Sequence, residues 1–351
     1  MKIPELQDGL RDANLDACIL MDTDPNVFYF AGVELERCTL VIPSKGEPAI
    51  LAVMLEEERI KADGSIGRVL SFSTAVERDK ILRGLLKDFR RIAVNRDYLS
   101  LRNSDYLKSV APIHELVDCS GNLSMLRQVK TSREIELIRE ACRRTDVILG
   151  KTISQFDFRT ELEVKNHLHE QVIRFGDKLS FDTIVASGKN ASMPHYSGSG
   201  KLQNGFCVID FGIRHKGYCS DMTRTVYVGK PGRKDREMYE LVRAAQQKGI
   251  DAAKDSAVAA DVDAAARKAL GRHSGSFIHG LGHHIGIEVH DAGFRIAPGS
   301  KGVLKSGMAI TIEPGMYFPG KSGIRIEDDL LIRKGRGELL TKYMREFTVV
   351  G

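Results

Sequence analysis

The sequence predicts a two-domain α/β (α+β) protein, in which a small N-terminal α/β domain precedes a larger mixed domain. A chain of 351 residues is long for one domain and suits two of ordinary size. Short apolar runs alternate with charged helical patterns over roughly the first 120 residues, whereas strands and turns dominate the C-terminal end. A polar segment, Asp118–Asn122, separates the two parts and gives predicted domains of 1–122 and 123–351.

Composition and charge exclude several classes of protein. The 52 Lys and Arg residues against 47 Asp and Glu leave a net charge of +5, and no stripe of basic and aromatic residues predicts a nucleic-acid partner. No apolar run reaches the ~18 residues of a membrane span, and the first residues lack the apolar stretch of a secretory signal. The six cysteines form no CxxC pair, so we expect reduced thiols in a cytoplasmic protein with no membrane partner.

The N-terminal domain carries no cluster of chemically reactive residues. Four apolar, β-branched runs predict its strands: Ala17–Met21, Cys38–Ile42, Ala49–Val53 and Arg91–Val94. Charged helical patterns lie between them, for example around Glu56–Arg59. Because the domain has no phosphate loop and no group of His and carboxylate residues, we predict a scaffold or a dimer surface.

The C-terminal domain is predicted to begin with helices and to continue with a β-hairpin. Thr131 and Glu134 have the spacing of a capping box, which predicts the start of a helix. The apolar periodicity then predicts a helix over 158–175, a strand over 181–185, a hairpin over 206–228 and helices over 235–254 and 262–270.

The hairpin contains two carboxylates within apolar strands, Asp210 and Asp221. A turn centred between His215 and Lys216 places these two residues directly opposite each other, with Cβ atoms ~4.5–5.5 Å apart. Two like charges in such a position repel each other and lose hydration. A cation, a shared proton or a nearby Arg would compensate, and a solvated surface hairpin is the alternative that needs no compensation.

Further potential ligands follow along the chain. Four of the ten histidines fall between His279 and His290 in a glycine-rich segment, where close backbone approach is allowed and neutral imidazole can bind a metal. Glu313 precedes a Pro-Gly turn, and Glu327 shares a strand face with Arg325. Oxygen-rich coordination with one imidazole suits Mn²⁺, Co²⁺, Fe²⁺ or Zn²⁺. Four carboxylates balance the charge of two divalent cations, which predicts a dinuclear centre.

The order and spacing of these segments resemble the proline-specific metallopeptidases of the pita-bread fold, Xaa-Pro dipeptidase (prolidase) and aminopeptidase P. The resemblance covers essentially the whole chain, including a creatinase/prolidase-like N-terminal domain before the catalytic one. The motifs that carry it are Asp221–Thr225, His279–His283, Val289–Asp291, Ile312–Gly315 and Ile324–Asp328. It implies two divalent metal ions per subunit, Mn²⁺ or Co²⁺ before Fe²⁺ or Zn²⁺, with Asp210, Asp221, His283, Glu313 and Glu327 as ligands.

The resemblance also implies the other active-site residues. A hydroxide bridging the two metals is expected to attack the carbonyl of an Xaa-Pro bond in a dipeptide or short peptide. Glu313 would transfer the proton, and His195 and His290 would stabilise the oxyanion. His279 and Arg325 would either hold the metal ligands in position or lie on the prolyl side of the substrate. Phe181 and Ile287 are candidates for the proline pocket, and Arg295 for the substrate carboxylate. His284 receives no role.

Two alternatives to a dipeptidase stay open at this stage. An aminopeptidase P would leave the prolyl side of the site open to longer peptides, whereas a dipeptidase needs Arg295 to bind the free carboxylate. A metal-binding interaction protein without turnover would not need His195, His279 and His290, and all three are present. A homodimer is expected from the family resemblance.

Overall fold

The chain folds into two units that are joined between Leu126 and Arg127. The computed structural model describes residues 2–64 and 66–351. Within those residues, no helix combines the length and the apolar character that crossing a membrane requires.

A mixed six-stranded sheet forms the centre of the first unit, with strand order β4-β3-β2-β1-β5-β6. The four predicted strands are confirmed, and two others complete the sheet: β1 (Ala17–Met21), β2 (Cys38–Pro43), β3 (Ala49–Val53), β4 (Arg68–Phe72), β5 (Arg91–Val94) and β6 (Glu115–Asp118). The helices are α1 (Ile3–Asp12), α2 (Pro25–Ala31), α3 (Glu57–Asp63), α4 (Ala75–Leu86), α5 (Leu101–Val110) and α6 (Ser120–Gln128). The sheet edge at β4 is half-buried, whereas β1 and β2 at its centre are almost fully buried.

The second unit begins with two helices, whose N-termini are fixed by capping boxes at Thr131 and Thr160. Its helices are α7 (Ser132–Ser154), α8 (Glu161–Arg174), α9 (Arg233–Ala252) and α10 (Ala259–Leu270). Its strands are β7 (Lys178–Leu179), β8 (Ile184–Ser187), β9 (Gly205–Phe211), β10 (Ile213–His215), β11 (Tyr218–Cys219), β12 (Met222–Val228), β13 (Ala309–Ile312), β14 (Gly315–Phe318), β15 (Ser322–Arg325), β16 (Asp328–Ile332), β17 (Gly337–Leu339) and β18 (Thr348–Val350).

Strand β9 separates two apolar cores. Its odd-numbered side chains, Cys207, Ile209 and Phe211, pack in one core with α7 and α8. Phe206 packs on the other face, in the core built from α9, α10 and β13–β16. Because side chains alternate along a strand, Asp210 faces away from α7 and α8.

The register of the hairpin differs from the prediction by two residues. Lys216 and Gly217 both have positive φ, 47° and 86°, so they form the two-residue turn and its centre lies one residue later than predicted. His215 therefore pairs with Tyr218, and Asp210 pairs with Thr223. The prediction that Asp210 lies directly opposite Asp221 is wrong. A shift by two residues preserves the face, and both carboxylates still belong to one buried cluster.

Candidate metal centre

Four carboxylates and one imidazole converge inside the second unit: Asp210, Asp221, His283, Glu313 and Glu327. The carboxylates come from a strand or from short links between strands, whereas His283 lies between the isolated bridges at Gly282 and His284. Asp210 lies in β9, and Asp221 precedes β12. Glu313 links β13 to β14, and Glu327 links β15 to β16. The strand junctions therefore bring together residues that are up to 117 positions apart in the sequence (327 − 210).

Neighbouring backbone and hydroxyl groups hold the carboxylates in place. The Asp221 backbone N–H donates to Asp329 Oδ2 at 2.9 Å. The Thr223 hydroxyl donates to Glu327 Oε2 at 2.7 Å, and the Glu327 N–H donates to Thr223 O at 3.0 Å. Glu313 is fixed by its own N–H, which donates to Leu281 O at 2.8 Å. These bonds orient the carboxylates before any ligand arrives.

The hydrogen bonding of His283 determines which ring nitrogen is available. Its Nδ1 lies 3.1 Å from the His284 carbonyl oxygen, which can only accept, so Nδ1 carries the proton. The unprotonated Nε2 then lies 3.6 Å from both Asp221 Oδ2 and Glu313 Oε1. Burial, followed by the nearby His290, lowers the pKa of His283 to about 3. A neutral imidazole with a fixed second nitrogen is the form that binds metals.

The environment of the carboxylates is better explained if a cation binds among them than if none does. The Asp210 Oδ1 and Asp221 Oδ1 atoms are buried and have no hydrogen-bond partner among the described residues. One ligand atom each from Asp221, His283 and Glu327 lies within 4.8 Å of the others. Burial, followed by the charge of Asp210, raises the pKa of Glu327 to about 8. A cation would supply both the missing partners and the missing positive charge.

A hydrogen-bonded chain leads from Asp210 to His279. Arg325 donates from Nη2 to Asp210 Oδ2 at 2.5 Å, from Nη1 to the Tyr317 hydroxyl at 3.0 Å and from Nε to Thr223 Oγ1 at 3.1 Å. The His279 Nδ1–H donates to Gly280 O. Its Nε2 therefore accepts a hydrogen bond from the Tyr317 hydroxyl, which lies 2.9 Å away. Burial, followed by Arg325, lowers the pKa of His279 to about 4. His279 is therefore a neutral imidazole, and both of its ring nitrogens form hydrogen bonds. Through Tyr317 it helps to hold Arg325 in position.

A cavity of about 820 Å³ opens above this cluster. His195 and His290 line it from exposed positions, together with Phe181 and Arg295. Asp221 and Glu327 do not line it and lie beneath its floor, 5% and 2% exposed. Ile287 is 2% exposed and does not line the cavity. The side chain of Ile287, which the resemblance placed in the proline pocket, therefore lies in the interior.

Two residues that sequence reasoning did not single out support the centre. Tyr317 connects Arg325 to His279, and Asp329 holds the Asp221 backbone. Tyr317 follows Glu313 at an even spacing through β14, so strand alternation was a signal for it. Asp329 is one of three consecutive acidic residues after Ile326, and nothing in that run distinguishes it from Asp328.

Comparisons with known proteins agree with this arrangement. The sequence pattern of metallopeptidase family M24 matches residues 136–334, and that of the creatinase/prolidase N-terminal domain matches residues 2–129. An uncharacterised peptidase from Staphylococcus saprophyticus is 33% identical, over 98% of this chain and 99% of its own length.

Solved structures agree over the full length. The prolidase from Pyrococcus horikoshii is 32% identical with a TM-score of 0.91, over 98% of this chain and 99% of that one. The Xaa-Pro dipeptidase from Bacillus anthracis is 30% identical with a TM-score of 0.92, over 99% of each chain. The X-Pro aminopeptidase from Thermotoga maritima is 27% identical with a TM-score of 0.89, over 98% and 100%. The resemblance inferred from the motifs is confirmed, and the chain belongs to metallopeptidase family M24.

Proposed function

We propose that this protein is a two-metal Xaa-Pro dipeptidase. The observation that carries the proposal is the buried cluster of four carboxylates and a neutral His283 beneath a cavity of about 820 Å³. Two carboxylate oxygens in that cluster have no partner among the described residues. The names of the similar structures, prolidase and Xaa-Pro dipeptidase, support the choice of substrate.

The proposed metal ligands are Asp210, Asp221, His283, Glu313 and Glu327. When bound there, divalent cations lower the pKa of water and polarise a carbonyl oxygen. We propose Mn²⁺ or Co²⁺ as the native metal. The carboxylates and the imidazole suit Fe²⁺ and Zn²⁺ as well, and the family resemblance is the ground for placing Mn²⁺ and Co²⁺ first.

The residues above the cluster are proposed to act on the substrate. Burial, followed by the charge of Glu327, raises the pKa of Glu313 well above its usual value. Glu313 also lines the cavity, so its carboxylate is proposed to accept the proton of the attacking water and to deliver it to the proline nitrogen. His195 and His290 line the cavity and are proposed to donate hydrogen bonds to the developing oxyanion.

Proline specificity requires recognition of a ring. The prolyl nitrogen has no N–H, so the enzyme cannot select it through a backbone acceptor. Phe181 lines the cavity and is half-buried, and we propose that its ring contributes an apolar contact to the substrate. Ile287 is buried and lies outside the residues that line the cavity, so we propose no substrate contact for it.

The direct test compares Met-Pro with Met-Pro-Pro on protein loaded with Mn²⁺ or Co²⁺ and on chelated protein. Metal-dependent hydrolysis of Met-Pro alone is the expected result. Hydrolysis of the longer peptide would move the assignment to an X-Pro aminopeptidase, which the Thermotoga maritima structure keeps as the second candidate. If protein that holds two metals cleaved neither peptide, the proline specificity would be wrong.

Replacing Arg295 by Ala is expected to raise the KM for Met-Pro. Arg295 is exposed, lines the cavity, and its charge lowers the pKa of His290, so it lies where it could bind the substrate carboxylate. Losing a charge-assisted pair costs roughly 10- to 100-fold in binding. Steady-state kinetics would show the effect in KM more than in kcat, with Arg295→Lys retaining part of the affinity. An unchanged KM would remove Arg295 from substrate binding.

The metal-free protein is expected to lose stability as the pH rises from 7 to 8. Burial raises the folded-state pKa of Asp221 and Glu313 well above their usual values, and that of Glu327 to about 8. In this window the folded state retains protons that the unfolded state has released, so the free energy of unfolding falls with pH. Each retained proton contributes about 1.4 kcal/mol per pH unit.

Between pH 7 and 8, the effect of these carboxylates on stability can be separated from that of the histidines. Burial lowers the pKa of His279, His283, His284 and His290, which makes stability rise with pH, but only up to the unfolded pKa of about 6.5. Thermal melts of chelated protein at pH 7.0, 7.5 and 8.0 would measure the remaining slope. Mn²⁺ should reduce this slope because the metal replaces the protons of the three ligands. The part due to Asp329, whose pKa burial also raises and which is not a proposed ligand, should remain. A Tm that stayed level or rose in the chelated protein would contradict the prediction.

We further propose that the protein is a cytoplasmic homodimer. All six cysteines are free and buried, as suits a reducing compartment, and the family resemblance is the ground for the dimer. Sedimentation of the purified protein would test the oligomeric state.

A further inference from the structure

One wall of the cavity carries charged and polar side chains that the proposed reaction does not use. Lys165 and His169 lie one turn apart on α8, and Asp182 lies just before β8. All three line the cavity. Residues four apart on a helix share one face, so Lys165 and His169 present a common surface to this space.

This wall lies next to the metal centre. Ile184 pairs with Asp210 across β8 and β9, so the two residues are direct neighbours on the sheet. The preceding residue, Thr183, has its Oγ1 3.1 Å from His169 Nε2. Lys165 and His169 therefore line the same cavity as Asp210 and Glu313, from the wall that β8 joins to β9.

The Lys165 ammonium group has spare hydrogen-bonding capacity. It is partly buried and donates one hydrogen bond, to the Gly198 carbonyl at 2.7 Å. No carboxylate lies within 4.0 Å of it in the described part of the chain. An ammonium group has three donors, so two of them can still bind a ligand. A partly desolvated charge of this kind gains from an acidic partner.

Lys165 is the fixed positive charge of this wall. Burial, followed by the charge of Lys165, lowers the pKa of His169, so this imidazole is neutral near pH 7. Asp182 carries the opposite charge, but it is exposed and water screens it more strongly than the partly buried ammonium group.

Lys165 and Arg295 act on different parts of the cavity. The charge of Arg295 lowers the pKa of His283 and His290, whereas that of Lys165 acts on His169. If Arg295 binds the carboxylate of the prolyl residue, as the proposed function requires, Lys165 remains for the other half of the dipeptide. We propose that Lys165 binds the side-chain carboxylate of an acidic residue before proline, so that acidic Xaa-Pro dipeptides are preferred substrates. This inference rests on the proposed Xaa-Pro dipeptidase activity.

The test compares Glu-Pro with Gln-Pro, which differ in charge and hardly in shape. The metal-loaded wild type is expected to hydrolyse Glu-Pro with a kcat/KM roughly 10- to 100-fold higher, mainly through a lower KM. Lys165→Met, which keeps an unbranched chain of similar length, should bring the ratio close to one, and Lys165→Arg should restore most of it. Asp182→Asn is the matched control and should retain the preference for Glu-Pro.

The outcomes separate this inference from the proposed function. Equal rates for both peptides in the wild type, or a preference that survives in Lys165→Met, would overturn the role of Lys165. So would an equal loss for both peptides in Lys165→Met, because it would mean that Lys165 binds the prolyl carboxylate. A preference for Lys-Pro that Asp182→Asn removes would assign the wall to basic residues. Among the outcomes of this test, only a failure to hydrolyse any Xaa-Pro dipeptide would refute the proposed function itself.

Discussion

Replacing Glu327 by Gln is expected to remove both the bound metal and the peptidase activity. Glu327 is 2% exposed, and its Oε2 accepts a hydrogen bond from the Thr223 hydroxyl. Its ligand atom lies within 4.8 Å of those of Asp221 and His283. The amide keeps the size but loses the charge that a divalent cation requires. Mutating a residue that only orients a metal ligand lowers metal affinity or activity by roughly 10- to 100-fold. Replacing a ligand itself should therefore lower kcat/KM by more than roughly 100-fold.

Elemental analysis after gel filtration, together with kinetics on Met-Pro, would measure both effects. Glu240→Gln is a matched control, because this residue lies in α9 with a side chain 46% exposed. Circular dichroism must show that the Glu327 variant is folded. A folded variant that retained two metals and most of its activity would remove Glu327 from the centre.

Local sequence patterns predicted the parts of the fold that depend on neighbours in the chain. The spacing of Thr131 and Glu134 predicted the start of α7, and the reciprocal hydrogen bonds are present. Apolar alternation identified the hairpin and placed Asp210 inside it. The turn was misplaced because its sequence, Arg-His-Lys-Gly, does not show which residues take positive φ. Lys216 adopts φ 47°, which is uncommon for a residue with a Cβ atom.

Long-range contacts set the limit of prediction in the site. Ile287 lies between His284 and His290, and its position in the segments that resemble the family suggested a pocket residue. The Cys219 N–H donates to Gly286 O, and the Cys219 Sγ lies 3.7 Å from Ile287 O. These contacts from a strand 68 positions away hold Ile287 in the interior. The place of Lys165 in the cavity wall also depends on long-range contacts, since nothing near it in the sequence indicates a cavity.

The histidine segment shows how glycine determines the geometry of the metal centre. The ideal Cβ position of Gly282 lies 2.0 Å from the Thr311 carbonyl oxygen and 3.0 Å from Thr311 Oγ1. Hydrogen bonds on either side keep the two segments together: Thr311 N–H donates to His283 O, and Glu313 N–H donates to Leu281 O, both at 2.8 Å. Only a residue without Cβ allows this approach. The absence of a side chain at Gly282 therefore helps to set the positions of two proposed ligands, His283 and Glu313.

Replacing Gly282 by Ala is expected to damage both stability and activity. The added methyl group meets a backbone carbonyl that cannot rotate away, so the loss in the free energy of unfolding should reach the upper end of overpacking costs, about 3 kcal/mol. Separating the segments also displaces His283 and Glu313, and a shift of about 1 Å at a reacting centre costs roughly 100-fold in rate.

Gly84→Ala is the control for this substitution. Gly84 lies within α4, and nothing lies within 4 Å of its ideal Cβ position, so the same change should stabilise the protein by about 0.5–1 kcal/mol. Denaturant unfolding of both variants, with metal content and Met-Pro kinetics of the folded Gly282→Ala protein, would test the argument. If Gly282→Ala kept wild-type stability and activity, the close approach of the two segments would not be what orients His283, and the ligand geometry would have to come from the hydrogen bond to His284 O alone.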